Sequence, residues 1–201
     1  MKKILAIAVL LVAFSASASA QTLVGKLLKG AATEIIDNVT DGKLSEVLLV
    51  GSWSYSEPAI ELNSSESKAL ADIASSALAT TLSTKLTKAY EYVGIKPGSY
   101  SFTFNNDNTF TSVIGKRNFA GTYTYDAETH AVELMFDSKL INLGTMKGFA
   151  YIDGQNLKLV FDCSRLVNFV TQLGAKSTLL SGVTSLVKGY ESVMLGFAFS
   201  K

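Results

Sequence analysis

The chain has few of the residues that usually carry chemistry. Among 201 residues there is one cysteine, one histidine and one tryptophan, with two prolines and two arginines. A lone Cys163 excludes an intramolecular disulfide framework. It ends the strand-like run "LKLVFDC", which favours a buried inert thiol; an intermolecular bridge or a reactive thiol is the alternative. His130, in "DAETHAV", has no second imidazole or cysteine cluster with which to build a transition-metal site. No G-x-S-x-G elbow accompanies it, so it reads as a surface turn residue and not as a catalytic base. Charge of one sign is also lacking, since 18 basic side chains stand against 17 acidic ones. Such a balance gives no electrostatic case for nucleic acid.

Long apolar runs are equally scarce. Ile4 to Phe14 is apolar throughout, but it falls short of the roughly 20 residues a spanning helix needs. Lys2 and Lys3 precede it, and "SASASA" follows with Ala18-Ser19-Ala20 as an A-x-A site. This pattern predicts a signal peptide over 1–20, cleaved after Ala20, with a membrane anchor as the alternative. Gln21 stands where a lipoprotein would need cysteine. The expectation is an exported protein, periplasmic or extracellular, with no transmembrane segment after cleavage.

Several short motifs dissolve on inspection. "LGAKST" lacks the first glycine and the preceding strand of a phosphate loop, so it reads as a break between helices. "FNNDNT" offers one carboxylate, too few for calcium, and suits a hairpin turn. Glu57 and Glu61 show no sign of a glycosidase pair. No catalytic residue, metal or cofactor is assigned.

Aromatics and alternation are what the chain does have, with 11 Phe and 8 Tyr. From Ser99 onward apolar residues recur every second position: "SYSFTFN", "TFTSVI", "RNFAGTYTYD", "AVELMF", then "KGFAYID" and "NLKLVFD" across Asp153-Gly154. Together with "GSWSYSEPAI" and the closing "SVMLGFAFSK", this predicts about eight strands, near 51–60, 99–105, 109–115, 117–126, 131–137, 146–153, 156–162 and 193–200. Helical spacing interrupts them twice. Leu70, Ala74, Leu78, Leu82, Leu86 and Tyr90 recur every four residues after a capping box at Asn63 and Glu66, predicting a helix over 64–93. Helical segments over 164–190 start at Ser164. A lead-in over 21–47 carries Leu23, Leu27, Ala31 and Ile35 at helical spacing, to pack on the domain or to lie on a membrane surface. The fold class is mainly β: an antiparallel eight-stranded meander over 48–201, closed into a barrel so that no edge is left exposed, with a sandwich or half-barrel as alternatives.

These residues carry a family likeness. Gly51-x-Trp53 in "GSWSY" resembles the opening strand of lipocalins. "FTFNNDNTFTSVIGKRNFAGTYTYD" resembles a lipocalin-like hairpin, at Phe104, Asp107, Asn108, Thr109, Phe110, Gly121 and Tyr123. The mature chain is similar to a lipocalin-like (calycin-like) family of exported Bacteroidetes proteins, a family of unknown function. The resemblance implies that Gly51 and Trp53 form the barrel base. In lipocalins the Trp packs on an Arg at or after the last strand; Arg117 and Arg165 lie elsewhere, which leaves Lys201, or no residue, for that place.

Three functions follow as expectations. The first is a non-enzymatic carrier of a small hydrophobic or amphipathic, lipid-like ligand. Its cavity would be lined by Tyr100, Phe102, Phe104, Phe110, Phe119, Tyr123, Tyr125, Phe136, Phe149 and Tyr151. The second is a structural or interaction protein with a filled barrel, presenting its helices to an envelope protein partner. The third is an enzyme with a cavity-borne site.

Overall fold

The computed structural model describes residues 43–63, 68–137, 144–188, 190 and 192–201. The expected signal peptide, the lead-in up to 42, and Glu66 of the expected capping box lie outside the described residues.

Strand β1 runs over Gly51–Asn63, β2 over Tyr100–Phe104, β3 over Thr109–Ile114 and β4 over Arg117–Asp126. They are followed by β5 over Ala131–Phe136, β6 over Thr145–Asp153, β7 over Asn156–Asp162 and β8 over Ser192–Ser200. Each strand pairs antiparallel with the next, and β8 returns to β1, giving a closed eight-stranded barrel. Closure follows from the alternation: a one-sided apolar sheet buries its face by curling on itself, and no unpaired edge is left. The tight hairpins put one residue each in left-handed backbone, Asn108, Gly115, His130 and Gly154. On β1 a bulge between Tyr55 and Glu57 shifts the register against β8, and bulges of this kind bend a strand at a barrel rim.

Helix α1 spans Lys43–Leu49 and α2 spans Lys68–Val93. The helical region after β7 is two helices, α3 over Cys163–Gln172 and α4 over Ser177–Leu186. The cap of α3 differs from the expected Ser164. Helix α3 leaves β7 directly, so the Asp162 carboxylate becomes the N-cap and accepts from the Ser164 backbone N–H at 2.9 Å and from the Ser164 hydroxyl. Leu82, Leu86, Ala89, Tyr90 and Val93 form the buried stripe of α2. Their 3.6-residue spacing turns one helix face onto the core. The strand directions place α1 and the β2–β3, β4–β5 and β6–β7 turns at one end, the base. The C-terminal end of α2, the β3–β4 turn and α3 sit at the other, the cap.

Candidate functional site: the barrel interior and its two closures

At the base, Gly51 has φ +125°, a backbone region that L side chains rarely adopt. It lets the chain turn from α1 into β1 and deliver Trp53 inward. The indole is fully buried, and its Nε1–H donates to the Leu49 carbonyl at 2.7 Å. Lys201 sits over the ring, its Nζ 4.3 Å from the centroid, and donates to the carbonyls of Leu48 at 2.8 Å and Val50 at 3.1 Å. The terminal residue is exposed as a whole, yet its ammonium is drawn in far enough that burial lowers its pKa. The place that lipocalins give to arginine is therefore held by Lys201. Tyr123 braces the same end, its hydroxyl donating to the Asn105 carbonyl at 2.9 Å and its ring edge-on to Phe104 at 4.9 Å.

Inside, rings touch rings from base to cap. Phe102 stacks on Phe110 at 4.9 Å and lies 4.6 Å from Phe104. Phe110 meets Phe136 at 5.0 Å, and Phe199 and Phe197 each meet Tyr100 at 5.2 Å. Two inner-wall glycines make room for rings. A Cβ on Gly148 would lie 2.2 Å from the Val160 carbonyl oxygen and 2.6 Å from the Phe161 ring, and one on Gly121 would lie 2.0 Å from the Met135 carbonyl oxygen and 2.9 Å from the Phe110 ring. One interior void, lined by Tyr100, Phe102, Ser112, Leu134, Phe136, Met146, Leu159, Phe161, Phe169 and Phe197, has a volume of about 10 Å³. That is room for roughly one water. Its polar groups are two hydroxyls, Tyr100 and Ser112, joined by a hydrogen bond. Burial pushes the Tyr100 phenol well above its ordinary range, against a smaller opposing pull from Ser112. It is therefore neutral at physiological pH.

At the cap, Tyr90 of α2 enters between Tyr55 and Phe197, 6.3 and 5.0 Å away. Its hydroxyl donates to the Gly196 carbonyl on β8 at 3.0 Å, and burial raises its pKa strongly. Phe169 of α3 packs against Phe136 and Phe197 at 6.2 and 6.1 Å. Arg117, set at the start of β4 by the β3–β4 turn, ties the helices together. Nη2 donates to the Val93 carbonyl and Nη1 to the Leu173 carbonyl, both at 2.8 Å. One planar fork thus satisfies the C-terminal carbonyls of α2 and α3, where the helix dipoles favour a cation.

Of the expected cavity residues, Tyr100, Phe102, Phe104, Phe110, Phe119 and Tyr123 lie in this core, and Tyr125 and Phe136 are half-buried against it. Phe149 and Tyr151 do not join them, which corrects the expectation. On β6 it is Met146, Gly148, Ala150 and Ile152 that are buried, so the alternating Phe149 and Tyr151 face outward, 6.1 Å apart. Sequence reasoning does not name Tyr55 and Ser112 as interior residues, although Tyr55 lies two positions after Trp53 on the same face. It reads Tyr90 and Phe169 as members of apolar helix stripes, but not as groups entering the barrel. His130 is half-buried in its turn, within 3.3 Å of the Tyr125 hydroxyl and 5.2 Å of the Tyr151 ring. Cys163 is half-buried rather than buried, and desolvation, with Asp162 beside it, raises its thiol pKa. Among the described residues no group of His, Cys, Asp and Glu gathers as a metal site, and no helix is long and apolar enough to cross a membrane.

A family model described as a lipocalin-like domain (DUF4923) matches residues 23–201. The chain belongs to this lipocalin-like family. Among solved structures it is similar to a DUF4847 family protein from Bacteroides vulgatus, with 16% identity and a TM-score of 0.39. That similarity covers 78% of this chain and 96% of the other. No curated protein matches the sequence. The lipocalin-like barrel of this chain is closed at the base by the Trp53–Lys201 pair and at the cap by α2 and α3.

Proposed function

We propose that this lipocalin-like protein is exported and non-enzymatic, with a barrel filled by its own side chains, and that it acts through its surface as an interaction protein of the cell envelope. The interior void carries this reading. Pockets for small molecules run to about 300–1,000 Å³, against the roughly single-water space bounded here by Tyr100, Phe136 and Phe169. The N-terminal basic, apolar and A-x-A sequence supports export.

A second reading, carriage of a small hydrophobic or amphipathic ligand, is favoured by the Tyr100–Ser112 hydroxyl pair in an otherwise apolar lining. It is also supported by the lipocalin-like family. Carriage would require Phe169 and α3 to withdraw from the cap. Native mass spectrometry of protein taken from its host, with titration by the apolar probe 1-anilinonaphthalene-8-sulfonate, separates the two. The filled barrel predicts the bare chain mass and no saturable probe binding. A retained lipid mass that disappears in the Tyr100→Phe/Ser112→Val variant would replace it with carriage.

A further inference from the structure

The near-neutral charge of the chain conceals a separation along the barrel axis. Five exposed cations, Lys88, Lys96, Lys116, Arg117 and Lys176, belong to the cap. They come from three separate stretches that the structure ties together. Lys176 lies over the Tyr92 ring at 5.6 Å, and Arg117 bridges Val93 and Leu173. Gly115 N–H donates to the Ser99 carbonyl at 2.8 Å, and Ser99 N–H donates to the Lys96 carbonyl at 3.0 Å. Glu91, Asp137 and Asp162 are the exposed carboxylates at this end, and no Asp or Glu occurs from 92 to 106 or from 163 to 190. The two ion pairs among the described residues, Lys147–Glu133 and Lys158–Glu61, are both on the barrel wall. The base, although it holds Lys43 and Lys201, has the opposite net sign. Asp107, Asp126, Glu128 and Asp153 are exposed in its turns, and 105–108, 126–130 and 153–155 contain no Lys or Arg.

Resting on the reading that the protein works through its surface, we infer that the cap is a docking face for a bilayer carrying anionic lipid. Clustered lysines are attracted to a negative lipid surface within about a Debye length. The acidic base is repelled by the same surface, so the dipole selects one orientation, with the barrel axis across the membrane plane and the cap inward. Tyr92, 53% exposed amid the cations, supplies the amphipathic ring that settles at headgroup level. The cations spread over a face rather than lining a groove, which suits a lipid surface better than a folded partner.

Arg117 is left untouched in the test because it holds α2 and α3. The protein as its host makes it is sedimented with vesicles of phosphatidylcholine containing about one-third phosphatidylglycerol, and with vesicles of phosphatidylcholine alone. Binding to the anionic vesicles only is expected, weakening steeply with salt. The Lys96→Glu/Lys116→Glu/Lys176→Glu variant should bind roughly a hundredfold more weakly, with an unchanged circular dichroism spectrum and Tm, while Glu128→Lys at the base binds as before. Should that triple variant fail to fold, Lys96→Gln/Lys116→Gln, which keeps the length of both side chains, tests the same loss. Equal binding to both vesicle types, or undiminished binding by a folded variant, overturns the inference. So does a charge-dependent self-association in sedimentation velocity without vesicles, which would assign the cap to the acidic base of a second copy. Each outcome is independent of the probe titration, which reads the interior alone.

Discussion

At the base of the barrel, one indole, one ammonium and a two-turn helix make the closure. All of these residues lie within a few positions of where β1 begins or β8 ends. At the cap, a tyrosine from α2, a phenylalanine from α3 and an arginine from β4 converge from three stretches far apart in the chain. The base is thus a short-range device built on a single large anchor, Trp53. The cap divides its closure among several modest contacts, two of them hydrogen bonds to helix-end carbonyls. An anchor that concentrates buried area fails all at once, whereas a shared closure opens in part.

The comparison can be broken from either side. Trp53→Ala removes the largest fully buried side chain at the base, and the loss should be about 3–5 kcal/mol in global unfolding by denaturant. A Tm unchanged by that substitution would mean that α1 and Lys201 close the base unaided. Arg117→Ala should cost less, about 1.5–3 kcal/mol, since it deletes two charge-assisted hydrogen bonds at a part-buried site. Its signature is local: amide exchange should speed up in the last turns of α2 and α3 while β1–β8 keep their protection. Exchange that instead rises evenly along the barrel would show that cap and base form one cooperative unit.

The smallest effect belongs to Lys201→Met, which keeps the stem but removes the ammonium over Trp53, for about 0.5–1 kcal/mol. It also carries a pH signature. Burial lowers the folded pKa of Lys201 below its ordinary 10.5. Between those two values the unfolded chain binds more protons, so native stability from this group rises as pH climbs toward 10.5. The difference between native chain and variant should change in that alkaline window and stay flat below it. A difference independent of pH would place the ammonium in water instead.

Much of this architecture is legible from residues alone. Strands of period two separated by turn residues gave eight segments whose ends lie within a few residues of those observed, because alternation reports directly which face of a strand is covered. The base was legible for a related reason: Gly51 and Trp53 are two positions apart, and Lys201 is the cation left beside the last strand. Phe149 and Tyr151 were assigned to the interior because they are aromatic. Their neighbours on the same face, Lys147 and Asp153, show that this is the outer one, and the small Gly148 and Ala150 point inward to leave space for rings. Residue size misled where residue parity did not.

The charge separation illustrates the converse. Balanced totals gave no basic patch in sequence, since Lys88, Lys96, Lys116 and Lys176 are dispersed along the chain. Only the convergence of α2, the β3–β4 turn and the α3–α4 link brings them to one end. The sequence by itself determined the strands, their inward faces and the anchor at the base, because these depend on spacings of two to four residues. Tertiary structure alone decided that aromatic rings meet across the barrel interior, that Arg117 clasps two helix ends and that the cations share a face. Those outcomes depend on volumes and directions summed over distant segments, which no local spacing encodes.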